Sequence, residues 1–200
     1  SSASIIDHPQ VLGKLESSFR HALFQVVAVI TTTGLVTADF TSFTPFLTML
    51  FFGLFFLGGS SGSTSGGIKV VRHLILIKNS FLEFKKALHP SAILSLRLNN
   101  TSIDQGFVFK ILAFFILYMI LFIIGAGVFS FSGLDFTSAV GASASSLGNV
   151  GPGLGSVGPA LNFSEIPVIA KWWSSFYMLV GRLELFTVIM LFTPYFWRDH

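Results

Sequence analysis

Cysteine is absent from this 200-residue chain, and charge is scarce. The first absence excludes disulfide frameworks, thiolate zinc and iron–sulfur clusters, and cysteine nucleophiles. The second says more. Asp, Glu, Lys and Arg make up 10% of the residues, against roughly 25% in an ordinary soluble domain. Hydrophobic residues supply 52%, and 24 residues are phenylalanine. A soluble chain of this size leaves too much of its surface in water to hide that apolar area. A soluble enzyme, a nucleic-acid-binding domain and a disordered segment are excluded, and a bilayer protein is indicated. The net charge of +3 is too small and too unevenly placed to call for a nucleic-acid partner. Residues 1–10 are polar and carry no signal-peptide pattern, and no initiator methionine opens the chain, so a longer parent protein is expected.

Five apolar stretches are present: 19–30, 46–57 resuming at 68–77, 107–131, 136–147 and 172–197. A crossing helix needs about 20 apolar residues. Residues 107–131 meet this, and 172–197 meet it with aromatics at both ends, like an interfacial belt. The stretch 46–77 is long enough only if its Gly/Ser interruption stays within the membrane. Stretches 19–30 and 136–147 would reach about 18 Å as helices, too short to cross. Each runs into a glycine-containing loop, Thr31-Thr32-Thr33-Gly34 and Gly148-Asn149-Val150-Gly151-Pro152-Gly153. That pattern predicts two re-entrant half-helices, since irregular backbone at membrane depth persists only inside protein or along a watery path.

Charge sets the orientation. Lys69, Arg72, Lys78, Lys85, Lys86, Arg97 and Lys110 are opposed only by Glu83 and Asp104, and residues 132–170 contain no Lys or Arg. The 78–106 connection is then cytoplasmic and 132–170 external, with Lys14 and Arg20 against the trend. Lys85-Lys86 reads as a topology signal or a lipid-headgroup contact.

The pattern of short helix, glycine loop and long helix occurs twice. An offset of 114 lays Thr31–Val36 over Ser145–Val150 and matches Gly34 to Gly148; an offset of 122 lays Phe56–Ser60 over Met178–Arg182. Repeats of this kind build a site around a shared axis. Gly34 and Gly148 can take backbone angles closed to other residues, so that successive carbonyls can replace an ion's hydration shell. The half-helices would end at these loops with their negative dipole ends inward, which favours a cation. Neither loop has a carboxylate at its glycine; Asp39 lies five residues beyond Gly34. A neutral carbonyl site suits a weakly hydrated monovalent ion, whereas ordinary turns between packed helices would leave the paired loops unexplained.

Two further features stand out. Residues 58–67, which include Gly58, Gly59, Gly62, Gly66 and Gly67, are all Gly, Ser or Thr and interrupt a membrane helix. They do not form a phosphate-binding loop, because Gly67 is followed by Ile68-Lys69-Val70 rather than Lys-Ser/Thr. A linker is the plain alternative; a hinged gate beneath the loops fits the apolar flanks better. Arg182 lies eleven residues beyond Lys171, about 16 Å into the last helix. Such a charge faces a watery cavity or a partner. Glu184 lies on another helix face, so Arg182 is expected to donate hydrogen bonds to the tract; a buried ion pair with a segment outside this chain is the alternative. His8, His21, His73 and His89 are isolated, with no metal-ligand spacing.

Thr31-Thr32-Thr33-Gly34, the 58–67 tract with Ile68-Lys69, Ser146-Leu147-Gly148-Asn149-Val150-Gly151 and Gly181-Arg182-Leu183-Glu184 together resemble the TrkH/KtrB/HKT superfamily of potassium transporters, over nearly the whole chain and most closely its TrkH branch. The resemblance implies an all-α membrane protein of repeated outer helix–pore helix–filter loop–inner helix units around a potassium-channel-like pore. Residues 1–86 would be a partial third repeat, 87–106 a cytoplasmic connection and 107–200 the fourth repeat. It implies a potassium filter at Thr32, Thr33, Gly34 and Leu35 and at Leu147, Gly148, Asn149 and Val150, with residues 58–67 and Arg182 as the gate. It implies no enzyme activity, no covalently bound cofactor, and potassium as the transported ligand. It further implies a homodimer in contact with membrane lipid in the bacterial inner membrane, and a cytoplasmic nucleotide-binding regulatory subunit of TrkA type. Passive flux and symport with a coupled ion both fit. A secondary transporter with broken helices and a midplane solute site is the rival reading, but the chain offers few acidic or amide groups to line a pocket. A non-transporting scaffold would explain neither the paired loops nor the deep arginine.

Overall fold

The computed structural model describes residues 11–60, 62, 63, 65–89, 95–98, 101–183, 185–193, 196 and 197. His8, Ser61, Thr64 and Glu184, which fall within the features named above, lie outside the described residues. Among the described residues, seven α-helices run in the order α1 (Val11–Ile30), α2 (Pro45–Leu54), α3 (Val70–Leu88), α4 (Gln105–Phe131), α5 (Phe136–Gly148), α6 (Val168–Arg182) and α7 (Leu185–Leu191). Two short ladders accompany them: β1 (Leu57–Gly58) pairs in parallel with β2 (Ile68–Lys69), and β3 (Arg97–Leu98) antiparallel with β4 (Thr101–Ser102).

Helix α4 is the one described helix long and apolar enough to cross a membrane, with a mean hydropathy of 2.8 in its most apolar window. The Asp104 carboxylate accepts the Gly106 N–H at its start, which satisfies one of the donors a helix N-terminus leaves open. One face buries Ile111, Phe114, Tyr118 and Phe129. Another leaves Phe109, Ile116 and Ile123 exposed, as suits a helix whose solvent is lipid on one side.

Helix α5 lies between α4 and α6. Its residues are small, and Ser143, Ala144, Ser145, Ser146 and Leu147 are all buried. Small side chains let helix backbones approach closely, and hydroxyls then bond across the gap. Ser143 Oγ donates to the Phe122 carbonyl at 2.8 Å, and the Ser146 and Ser174 hydroxyls meet at 2.8 Å. From α6, the Tyr177 hydroxyl donates to the Leu121 carbonyl at 2.7 Å. Asp135 caps α5, its carboxylate accepting the Ser138 N–H.

Three expectations from the sequence need correction. The first half-helix begins at Val11, not Phe19; its added turns include the exposed Glu16–Arg20 ion pair, so periodic polar residues lengthen the helix without lengthening its apolar part. The 46–57 run stops being helical after Leu54, because Leu57 and Gly58 pair with Ile68 and Lys69 instead. The 172–197 run is two helices rather than one crossing helix. Leu183 closes α6 through its N–H to the Leu179 carbonyl at 3.0 Å, and α7 then turns to pack against α4. There Leu185 and Val188 join Phe114, Tyr118 and Ile68 in one buried cluster. In lipid the gain is close packing rather than removal from water: the dispersion contacts of Leu185 and Val188 in this cluster hold α7 on α4.

Candidate functional site

The two half-helices end in the same turn. At α1 the Thr33 N–H bonds to the Ala28 carbonyl at 3.0 Å and the Thr32 N–H to the Val29 carbonyl at 3.1 Å. At α5 the Val150 N–H bonds to the Ser145 carbonyl at 3.0 Å and the Asn149 N–H to the Ser146 carbonyl at 3.3 Å. These are paired Schellman bonds, which require a left-handed residue just past the helix. Thr32, at φ 53°, and Asn149, at φ 55°, occupy that place. Two residues on, Gly34 and Gly151 also have positive φ, 73° and 108°.

This corrects the register of the repeat. Thr32-Thr33-Gly34 corresponds to Asn149-Val150-Gly151, an offset of 117 rather than 114. Gly148, matched to Gly34 in the sequence, is the last residue of α5 and is not among the positive-φ residues. Glycine identity favoured the wrong alignment because asparagine takes the left-handed place at Asn149 without needing glycine.

The loops are neighbours. A Cβ on Gly34 would lie 2.9 Å from the Val150 carbonyl oxygen, and one on Gly151 would lie 3.2 Å from the Gly34 Cα. Val150 is buried, while Leu35 is 61% exposed. Ser145 Oγ donates to the Gly151 carbonyl at 2.8 Å, and the Thr31 and Thr33 hydroxyls meet at 2.7 Å. Thr32 Oγ1 is buried with no hydrogen-bond partner among the described residues. Asp39 turns from the loop to cap the 3-10 turn Phe40–Ser42, accepting the Thr41 N–H at 2.9 Å. Gln25, which drew no notice in the sequence, is buried in α1 and donates to the Ala38 carbonyl at 2.8 Å. It fixes the strand of chain leaving the first loop. A lone amide in an apolar helix face was the available signal.

The Gly/Ser tract passes directly beneath the second loop. A Cβ on Gly66 would clash with the Gly148 carbonyl and stand 2.7 Å from the Asn149 Cβ. The tract is closed by its own bonds. Gly59 N–H donates to Ser65 Oγ at 2.8 Å, the Ser65 N–H to Ser63 Oγ at 3.1 Å, and the Val70 N–H to the Gly59 carbonyl at 3.2 Å. Gly58 leaves no room for a Cβ beside the Gly66 carbonyl, Gly67 has φ 71°, and Gly62 faces open space. On the other side Gly181 touches α5 so closely that a Cβ would overlap the Leu147 carbonyl, and Asn149 Nδ2 donates to the Met178 carbonyl at 3.0 Å.

The expected hydrogen bonds from Arg182 to the tract are not made. Arg182 is exposed and bonds to no described residue. Lys69 takes that place, its ammonium donating to the Ser63 carbonyl. The reason is reach: Lys69 follows the tract directly and folds back onto it, while Arg182 stands on the opposite wall of a cavity of about 280 Å³ shared with Ser63, Ser65, Lys69 and Arg72. Of the sequence-predicted residues, Thr32, Thr33, Gly34, Asn149 and Val150 are brought together with Gly66. Leu147 and Gly148 support them from the last turn of α5, and Arg182 is near but unattached.

A family model described as TrkH, cation transport protein, matches residues 6–198. The Trk system potassium uptake protein TrkH of Halomonas elongata is 38% identical over 179 residues, covering 90% of this chain and 37% of that protein. The protein of the same name from Escherichia coli strain K12 is 40% identical over 182 residues, covering 91% and 37%. The crystal structure of the potassium transporter TrkH from Vibrio parahaemolyticus superposes with a TM-score of 0.84 at 38% identity, covering 96% of this chain and 40% of that one. The chain thus spans under two-fifths of the length of these curated relatives. With the family model matching residues 6–198 and its helical architecture matched over nearly its whole length, the chain belongs to the TrkH family of cation transport proteins.

Proposed function

We propose that the full-length protein passes potassium across the bacterial inner membrane through a pore to which this chain contributes two filter loops. The observation that carries the reading is the contact between Gly34 and Gly151, each two residues beyond a left-handed helix cap. Loops of this form can turn successive carbonyls toward one axis, where they stand in for water around a potassium ion. Neither α1 nor α5 has a basic residue in its last turn, so the partial negative charge of both helix ends is left to act on a cation.

The filter residues in this reading are Thr32, Thr33, Gly34 and Leu35 with Asn149, Val150 and Gly151. Leu147 and Gly148 hold the second loop from behind. Residues 58–67 form a gate under the loop, latched by Lys69, and Arg182 adds a fixed positive charge beside it that raises the barrier to cations. Residues 1–86 and 107–200 act as two consecutive pore repeats joined by a cytoplasmic connection at 87–106. Family membership and the relatives' names support potassium as the cargo. A homodimer regulated by a cytoplasmic nucleotide-binding subunit of TrkA type completes the proposal.

The test is ion flux by the full-length protein in liposomes. Gly151→Ala should lower the preference for K⁺ over Na⁺, because an alanine resists φ 108° and its Cβ enters the other loop. An unchanged ion ratio in folded Gly151→Ala protein would overturn the filter assignment.

A further inference from the structure

A second cavity, of about 340 Å³, lies outside the filter and the gate. Phe107, Ile111, Phe186 and Met190 supply its apolar walls, from α4 and α7, and the cations Arg72 and Lys110 stand at it. Its size is in the range of ligand sites, roughly 300–1,000 Å³. Ile111 is buried and forms the floor, whereas Phe107 and Met190 are 51% and 54% exposed. The described lining contains no carboxylate. Lys110 makes no hydrogen bond or ion pair with any described residue, although it sits in the first turns of the one described helix long and apolar enough to cross a membrane. An unpaired ammonium beside an apolar groove at a helix end matches a phospholipid, with an acyl chain against the phenylalanines and a phosphate on the cation.

We infer that this groove between α3, α4 and α7 binds one anionic phospholipid, its chain along Phe107 and Phe186 and its phosphate on Lys110. Charge complementarity selects the anionic lipid over a zwitterionic one. The groove also has a route to the gate. Arg72 lines both this groove and the cavity that holds Lys69, Ser63 and Arg182, and its guanidinium stacks 4.0 Å above the Phe114 ring, which lines the second of these. A lipid phosphate at the groove therefore acts on a cation that also faces the gating tract.

The experiment is native mass spectrometry of the full-length protein released from nanodiscs of mixed phosphatidylglycerol and phosphatidylcholine. Wild-type protein should retain phosphatidylglycerol preferentially. Lys110→Gln should cut that preference about fivefold, the worth of one basic residue at an anionic surface. Met190→Trp, which fills the groove and leaves every charge in place, should abolish retention of the lipid. Lys85→Gln with Lys86→Gln should change nothing, since those side chains lie at the far end of α3. Equal retention of both lipids, or loss with the Lys85/Lys86 pair instead, overturns the inference. Capture of inorganic phosphate in place of lipid overturns it in favour of a free anion. A shift in subunit stoichiometry on Met190→Trp, with lipid retention unchanged, overturns it in favour of a second copy of the chain as the occupant.

Discussion

Past α1 and past α5 the chain makes the same capped turn, yet the inner helix that follows is broken in two different ways. In the first copy, the nine residues 59–67, all Gly, Ser or Thr, separate β1 from β2; internal serine bonds and Lys69 hold this segment, and Gly66 presses on the base of the other copy's loop. In the second copy the break lies at Leu183, and α7 resumes at Leu185 to bury its apolar face against α4. The turns agree because both must present backbone to the same place. The breaks differ because one encloses removable polar chain and the other is pinned by a hydrophobic cluster. In the proposed gate the first copy's break is the side that moves and the second copy's the side that stays.

The sharpest way to break this contrast is at the pinned side. Gly181→Ala puts a Cβ into the Leu147 carbonyl, where backbone must move. It should cost about 3 kcal/mol, the upper range for overpacking, seen as a lower Tm of the full-length protein in detergent. A wild-type Tm would mean that α6 is not docked on α5 as described.

The two glycines of the second loop separate next. Gly151→Ala should cost about 1–2 kcal/mol through its left-handed strain and lower K⁺ over Na⁺ selectivity. Gly148→Ala, facing the Phe55 carbonyl, should lower stability by a similar amount while folded protein keeps its ion ratio. The opposite pattern would restore the alignment of Gly34 with Gly148.

At the mobile side, Lys69→Gln removes the ammonium from the Ser63 carbonyl. It should raise basal flux up to roughly tenfold, from the loss of about 1.5 kcal/mol of charged hydrogen bonding. Arg182→Ala should raise flux by removing charge alone. Arg182→Lys should then match wild type, because no hydrogen bond is lost. An Arg182→Lys protein that leaks like Arg182→Ala would assign the latch to the guanidinium after all.

The smallest effect concerns the start of α5. The Asp135 carboxyl is held below its ordinary 3.8, chiefly by hydrogen bonding to Ser138. A depressed value means that the cap contributes above the ordinary carboxylate range and is lost as pH falls through the lowered value. Asp135→Ala should therefore cost about 1 kcal/mol near neutral pH, and the gap to wild type should close below about pH 3.8. A gap that persists in acid would show that packing rather than the cap sets the end of α5.

Much of this was legible in the sequence because apolar length and small-residue runs are strong signals. Stretch 107–131 matches α4 to within two residues at its start, and 136–147 matches α5 to within one at its end. What could not be read was set by tertiary contact. Nothing in the apolar run 172–197 marks Leu183 as a stop; the burial of Leu185 and Val188 against Phe114 decides it. The loop register was misread because Thr32 and Asn149 carry the left-handed caps, while glycine was the residue type sought. The contact of Lys69 with the Ser63 carbonyl is not legible in the sequence, because a six-residue reach back is not suggested by helix or strand periodicity.

The fit of Gly66 against the Gly148 carbonyl makes the tract and the turn one thermodynamic system. In the proposed gate, withdrawal of the tract would leave the Gly148 carbonyl at the end of α5 to water, and the field at the neighbouring turn would change with opening. By linkage the dependence runs both ways: an ion that is held more tightly when the tract has withdrawn must favour withdrawal by the same factor. In that gate a substitution at residue 66 would reach ion binding through the opening equilibrium as well as through the turn.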